Sequence, residues 1–139
     1  MELVLALTPG ADVDLVPMVR DDAIWAAVVE TAGSFLHSDF EAVGTVIGTE
    51  RPYVGLDGFR EFLLDWLEPW EAYRSEVERT IDLGERVVTL FRIFGTRDGS
   101  SRELQSTGAW IWTIRDGKVV RNIGYADPGE ALKAVGLEE

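Results

Sequence analysis

The chain has 139 residues, with 13 Lys and Arg against 25 Asp and Glu, a single His, five Trp and no Cys. That length is one domain, residues 1–139, able to bury about two thirds of its unfolded surface. A net charge of -12 repels phosphate backbones and anionic headgroups, so nucleic acid and membrane are not expected; the lone His without Cys excludes disulfides and thiolate or multi-His zinc sites, Asp12 and Asp14 or Asp21 and Asp22 lack the spacing of a calcium loop, and without a Gly-rich phosphate loop or dinucleotide fingerprint no metal or cofactor is expected.

Met1 to Leu7 is apolar but places Glu2 where a secretory signal carries bases, which predicts a cytoplasmic protein. A short helical turn is expected from Asp14 to Arg20, with Pro17 tolerated in its first turn. From Ile24, apolar residues at Ile24, Ala27, Val28, Thr31/Ala32, Phe35 and Leu36 mark a helix capped by Asp21 or Asp22. Phe40 to Ile47 reads as a short strand pairing with a sheet edge. Leu56, Phe59, Phe62, Leu63, Trp66 and Leu67 share one face of a second long helix, which Pro69 ends at Glu68.

Beyond Pro69, β-branched and aromatic residues dominate, and three turns divide the chain into four strands: Tyr73 to Asp82, Glu85 to Arg97, Arg102 to Ile114 and Lys118 to Ala126. The Asp116-Gly117 pair suits a two-residue type I′ hairpin, because both positions take positive φ. Such long antiparallel strands twist, so the sheet is expected to curl around the helices. Pro128 to Val135 closes the chain as a helix with Gly136 just past its end. The fold class is α+β: N-terminal helices packed into a strongly curved antiparallel sheet, with a short C-terminal helix.

Regular pairing outward from Asp116-Gly117 places Leu104, Ser106, Gly108, Trp110, Trp112 and Ile114 beside Val119, Arg121, Ile123 and Tyr125 on one face. The other face carries Gln105, Thr107, Ala109, Ile111 and Thr113 beside Val120, Asn122, Gly124 and Ala126. The small-residue face leaves unfilled volume and is assigned to the helices and a pocket. The aromatic face is assigned to a homodimer interface, since an exposed patch of that kind promotes association. An alternative is a C-terminal segment folded back over those aromatics. With Asp98-Gly99 treated the same way, Arg92 falls on the small-residue face opposite Gln105, or opposite Thr107 if Ser100 and Ser101 lengthen that loop.

Several segments then show a resemblance to a known family. They are Tyr53-Val54-Gly55-Leu56-Asp57-Gly58-Phe59, Ile81 to Val88, Arg115-Asp116-Gly117-Lys118-Val119-Val120-Arg121, and Tyr125-Ala126-Asp127 leading into Glu130 to Leu137. In this order and spacing the chain resembles the SnoaL-like branch of the nuclear-transport-factor-2-like superfamily. The resemblance implies a cone enclosing an apolar pocket, as in polyketide cyclases, a ketosteroid isomerase, scytalone dehydratase and limonene epoxide hydrolase. By analogy with the epoxide hydrolase, Arg92 falls near the arginine position, while the two carboxylate positions fall on Phe94 and Gly124. The acid and base for epoxide opening are then missing.

His37 is the one side chain whose ordinary pKa lies near neutrality, which makes it the candidate general base, with Asp39 to orient it; capping and turn roles are the alternatives. Tyr53, Trp66 and Trp70 are candidates to line the pocket mouth and stack on a flat or polycyclic ligand. Arg92, Gln105 and Asn122 offer donors and acceptors for a carbonyl, enol or carboxylate, or else form a buried structural network. The resulting expectation is a protein that binds a small, mostly apolar molecule without catalysis. The alternative is a cofactor-independent cyclase, isomerase or hydratase working by general acid-base chemistry.

Overall fold

Two aspartates open the helical layer. In the computed structural model, which describes residues 10, 12–44 and 52–137, Asp14 caps α1 (Leu15–Arg20) by accepting a hydrogen bond from the Val16 N–H. The same Asp14 oxygen accepts the Tyr73 N–H at 3.1 Å, so one carboxylate starts a helix and ties it to the sheet. Asp21 caps α2 (Asp22–Ala32) through Ala23 and Ile24. A 3₁₀ turn, Gly33–Phe35, then leads into β1 (Leu36–Gly44). The continuation of the expected first strand beyond Gly44, and the Met1 to Leu7 segment, lie outside the described residues.

The inward stripe of α2 is shifted by one residue from expectation. Trp25, Val28, Val29 and Ala32 face the interior, while Ile24 is 44% exposed. The 3.6-residue period is satisfied by either set, and the larger indole takes the buried position.

After β2 (Tyr53–Val54), helix α3 (Gly55–Leu67) begins on Gly55 at φ 73° and ends before Pro69. Gly58 lies inside this helix because a Cβ there would come within 2.8 Å of the Tyr53 carbonyl carbon. Helix propensity yields to a close backbone approach.

The meander follows as β3 (Trp70–Asp82), β4 (Arg86–Arg97), β5 (Glu103–Arg115) and β6 (Lys118–Tyr125), then α4 (Pro128–Ala134), capped by Asp127. The six-stranded sheet has the order β2-β1-β6-β5-β4-β3, with β1 and β6 parallel and the other pairs antiparallel. Asp116 and Gly117 have φ of 55° and 74°, and Arg115 pairs with Lys118, as a type I′ turn requires. At the β4–β5 turn only Gly99 has positive φ, and the longer loop puts Arg92 opposite Thr107. No helix among the described residues is long and apolar enough to cross a membrane.

The assignment of the two sheet faces is reversed by the structure. Trp112 is fully buried in the main core with Phe40, Ala42, Phe62, Val87 and Val119, and Trp110 packs against the same cluster. The aromatic face therefore lies inside the cone under the helices, where it is no surface for a second copy. The segment that folds back is α4, and it covers the small-residue face, with Ala131 packed against Val88, Ala109 and Ile111. Trp and Tyr bury more apolar area than Ala and Thr, so the helices cover the face that gains most from leaving water.

A β-bulge adds a second correction. Ile114 pairs with Val119, but Thr113 pairs with Arg121, so Val120 is an extra residue in β6. From that point the phase inverts: Asn122 lies opposite Trp112 and Gly124 opposite Trp110, on the interior face.

Candidate functional site

The concave sheet and the helices enclose an apolar cavity of about 90 Å³, with walls from α1, α2, α3 and the centre of the sheet. Trp66, Tyr73 and Ile93 also border a second, open cleft of about 620 Å³ whose rim includes Asp65, Glu68, Trp70, Arg97 and Thr107. These three shared residues form the neck between an inner apolar chamber and a polar mouth.

At the neck, the Trp66 indole N–H donates to the Tyr73 hydroxyl oxygen at 3.0 Å. Tyr73 is buried, and its own hydroxyl proton reaches no acceptor among the described residues. Burial pushes this phenol's pKa up while the indole N–H opposes the rise, and the group is neutral at physiological pH. A neutral phenol with an uncommitted proton, set against apolar walls, is a hydrogen-bond donor waiting for a carbonyl or hydroxyl oxygen. Ser75, two residues along β3, and Tyr125, at the end of β6, are the other hydroxyl-bearing residues of the inner chamber.

At the mouth, Trp70 packs edge-on against Tyr73 with ring centroids 5.6 Å apart. The Arg97 guanidinium lies 5.1 Å from the Trp70 ring centroid. On the helix side, the Tyr53 hydroxyl donates to Asp65 at 2.7 Å. That bond, with burial and the negative charges of Asp65 and Glu61, pushes the Tyr53 pKa up to about 12, because its phenolate would face a carboxylate.

Of the residues expected to form the site, Trp66 and Trp70 are on its walls. Tyr53 stands behind Asp65, and its ring packs on Phe62 at 5.4 Å. Arg92 and Gln105 are exposed on the outer face, where Arg92 pairs with Glu78 at 3.1 Å. Neither borders the cavity. The reversed faces account for this: Arg92 shares a face with Leu90 and Phe94, while Phe91 and Ile93 point inward.

His37 and Asp39 sit on β1, outside the walls of both cavities. The His37 Nδ1 accepts the Asp39 N–H at 3.0 Å, and the exposed Asp39 carboxylate lies 3.8 Å from both that nitrogen and Arg115. This is the local turn geometry that short polar side chains adopt.

Asn122 is fully buried beside Trp112 and Ala42, and neither its amide nitrogen nor its oxygen has a hydrogen-bonding partner among the described residues. It lies deeper than the cavity walls, alongside Gly124, whose Cβ position is 3.4 Å from the Trp110 indole nitrogen and 3.6 Å from Phe62. Tyr73 and Arg97 were not anticipated from the sequence. The available signal was cross-strand pairing, which sets Tyr73 opposite Gly95 and Trp70 opposite Arg97.

Comparison with known proteins agrees with this architecture. TerC, co-crystallised with polyporic acid, superposes with a TM-score of 0.66 at 23% identity, covering 95% of this chain and 94% of that one. A Jannaschia sp. CCS1 protein provisionally named a SnoaL-like polyketide cyclase gives 0.67 at 19% identity over 99% and 92%. A Catenulispora acidiphila protein with a ketosteroid isomerase-like fold, in complex with trimethylamine, gives 0.65 at 15% identity over 98% and 93%. At these identities the likeness is one of fold. No curated protein matches the chain. Residues 18–122 match the SnoaL-like domain. With that match over most of its length, the chain belongs to the SnoaL-like domain family.

Proposed function

We propose that this domain binds a small amphipathic molecule, with its apolar part in the inner chamber and an oxygen acceptor at Tyr73. The observation that carries this reading is the buried Tyr73 hydroxyl at the neck, held by the Trp66 N–H and with no acceptor for its own proton among the described residues. A chamber of about 90 Å³ is smaller than the roughly 150 Å³ cavity that accommodates benzene, so a ring-bearing ligand extends past Tyr73 into the outer cleft. The co-crystallised small molecules of TerC and of the Catenulispora protein support ligand binding as the use of such a cone.

Binding without catalysis is the reading we favour, because no Asp, Glu or His of the described residues borders the inner chamber. A cyclase-, isomerase- or hydratase-type reaction is the second reading. It rests on the same Tyr73 hydroxyl, which would stabilise an enolate-like oxygen by donating its hydrogen bond. Native mass spectrometry of gently purified protein tests the pocket: a retained discrete mass, lost in Tyr73→Phe, supports it. Release of a chemically altered ligand after prolonged incubation would move the assignment to the second reading.

A further inference from the structure

The outer cleft is polarised from wall to wall. Asp65 and Glu68 stand on the helix side at the C-terminal end of α3, where the helix dipole is also negative. Arg97 stands on the sheet side. Five other arginines of this acidic chain pair with carboxylates: Arg60 with Asp22, Arg74 with Glu103, Arg92 with Glu78, Arg115 with Asp39 and Arg121 with Glu41. Arg97 borders the cleft with an aromatic ring as its partner and no ion pair among the described residues.

Its position is built rather than incidental. A Cβ at Gly95 would lie 2.5 Å from the Trp70 ring, so the indole lies flat on the space that glycine leaves. Trp70 and Arg97 are cross-strand partners, and the Asp98 N–H to Pro69 carbonyl bond at 3.1 Å locks the two strand ends together. Glycine, indole and guanidinium thus form a stack that fixes a cation at the rim before any ligand arrives. From there Trp70, Tyr73 and Trp66 make a continuous aromatic track to the inner chamber.

We propose that Arg97 is the anion-recognising residue of this site, and that the molecule it accepts is an aromatic or polycyclic acid whose carboxylate or ionised hydroxyl meets Arg97 while its body lies along Trp70, Tyr73 and Trp66. This deepens, and rests on, the ligand-binding reading above. The acids and dipole of the helix wall repel the anionic group, which sets the orientation of the ligand across the cleft. A planar guanidinium already stacked on an indole presents its free N–H edge to such an oxygen pair.

The test titrates the full chain with three probes that share a ring, 2-naphthoate, 2-naphthalenemethanol and 2-naphthylmethylammonium, read by tryptophan fluorescence. The wild type is expected to bind naphthoate about ten-fold tighter than the alcohol, the size of effect a charge-assisted hydrogen bond provides. Arg97→Gln should bring naphthoate to the level of the alcohol and leave the alcohol within about two-fold, while Arg97→Lys, which keeps charge but loses the planar stack, should retain part of the preference. A melting curve of each variant checks that the fold is kept. If the alcohol binds and naphthoate binds no tighter, or if the preference survives in Arg97→Gln, the assignment of Arg97 is wrong and the pocket stands. If the ammonium probe is preferred, the helix-side acids govern the cleft and this proposal is overturned. If none of the three binds, the pocket reading and this inference both fall.

Discussion

The indole N–H of Trp66 and the hydroxyl of Tyr73 meet at 3.0 Å, joining α3 to the first long strand at the one point where both cavities share a wall. Tyr73→Phe leaves the indole donor unpaired in a half-buried place, and the loss of such a bond costs about 1 kcal/mol. For a domain of this length the expected fall in Tm is about 4 °C, with a change in tryptophan emission. An unaltered Tm and spectrum would show that the pair holds nothing together.

Tyr53 and Asp65 give the fold a signature at high pH. The folded pKa of Tyr53, about 12, lies above the ordinary value of 10.0, so the proton is bound more tightly in the native state. The stabilisation is therefore complete below pH 10 and is lost as pH rises from about 10 toward 12. Phenolate absorbance near 295 nm should include a late-titrating component that moves toward the ordinary range in Asp65→Asn. Persistence of that component in Asp65→Asn would mean the carboxylate is not its cause.

Asn122 holds two polar atoms in the core without partners. Leu has the same number of side-chain heavy atoms and no desolvation penalty, so Asn122→Leu is expected to raise stability by about 1–3 kcal/mol in chemical denaturation. A destabilised Asn122→Leu would show that the amide is satisfied in solution, by internal water for example.

Gly58→Ala forces a Cβ against the Tyr53 main chain, which cannot swing aside as a side chain can. The expected loss is about 1–3 kcal/mol despite the better helix propensity of Ala. Stabilisation of this variant would contradict the close approach of α3 and β2.

Element order, helix caps and hairpin positions were legible in the sequence because each depends on a few neighbouring residues. Asp21 caps, Pro69 stops, and Asp116-Gly117 turns with little help from the rest of the chain. The curved sheet and the family followed from the same signals. The inside and outside of the sheet did not, since both faces of β4 and β5 contain apolar residues and alternation marks two faces without saying which is covered. The longer loop after Arg97 was legible only as one of two alternatives, and the extra residue at Val120 was invisible. Tyr73 and Arg97 drew no attention because their roles come from partners on another strand and from α3, at sequence distances no local pattern spans.

The extra residue at Val120 amounts to a spatial reading-frame shift. It decides that Asn122 and Gly124 point into the cone while Arg121, exposed, points out to Glu41. Were the same residues paired without the bulge, Arg121 would lie opposite Trp112 and Asn122 opposite Ile111, carrying a guanidinium into the apolar interior with no residue chemically altered. The lining of such a cone is thus separated from a very different one by a one-residue slip of register rather than by a series of substitutions. In this fold the bulge of the last hairpin, as much as the residues themselves, selects what the interior is made of.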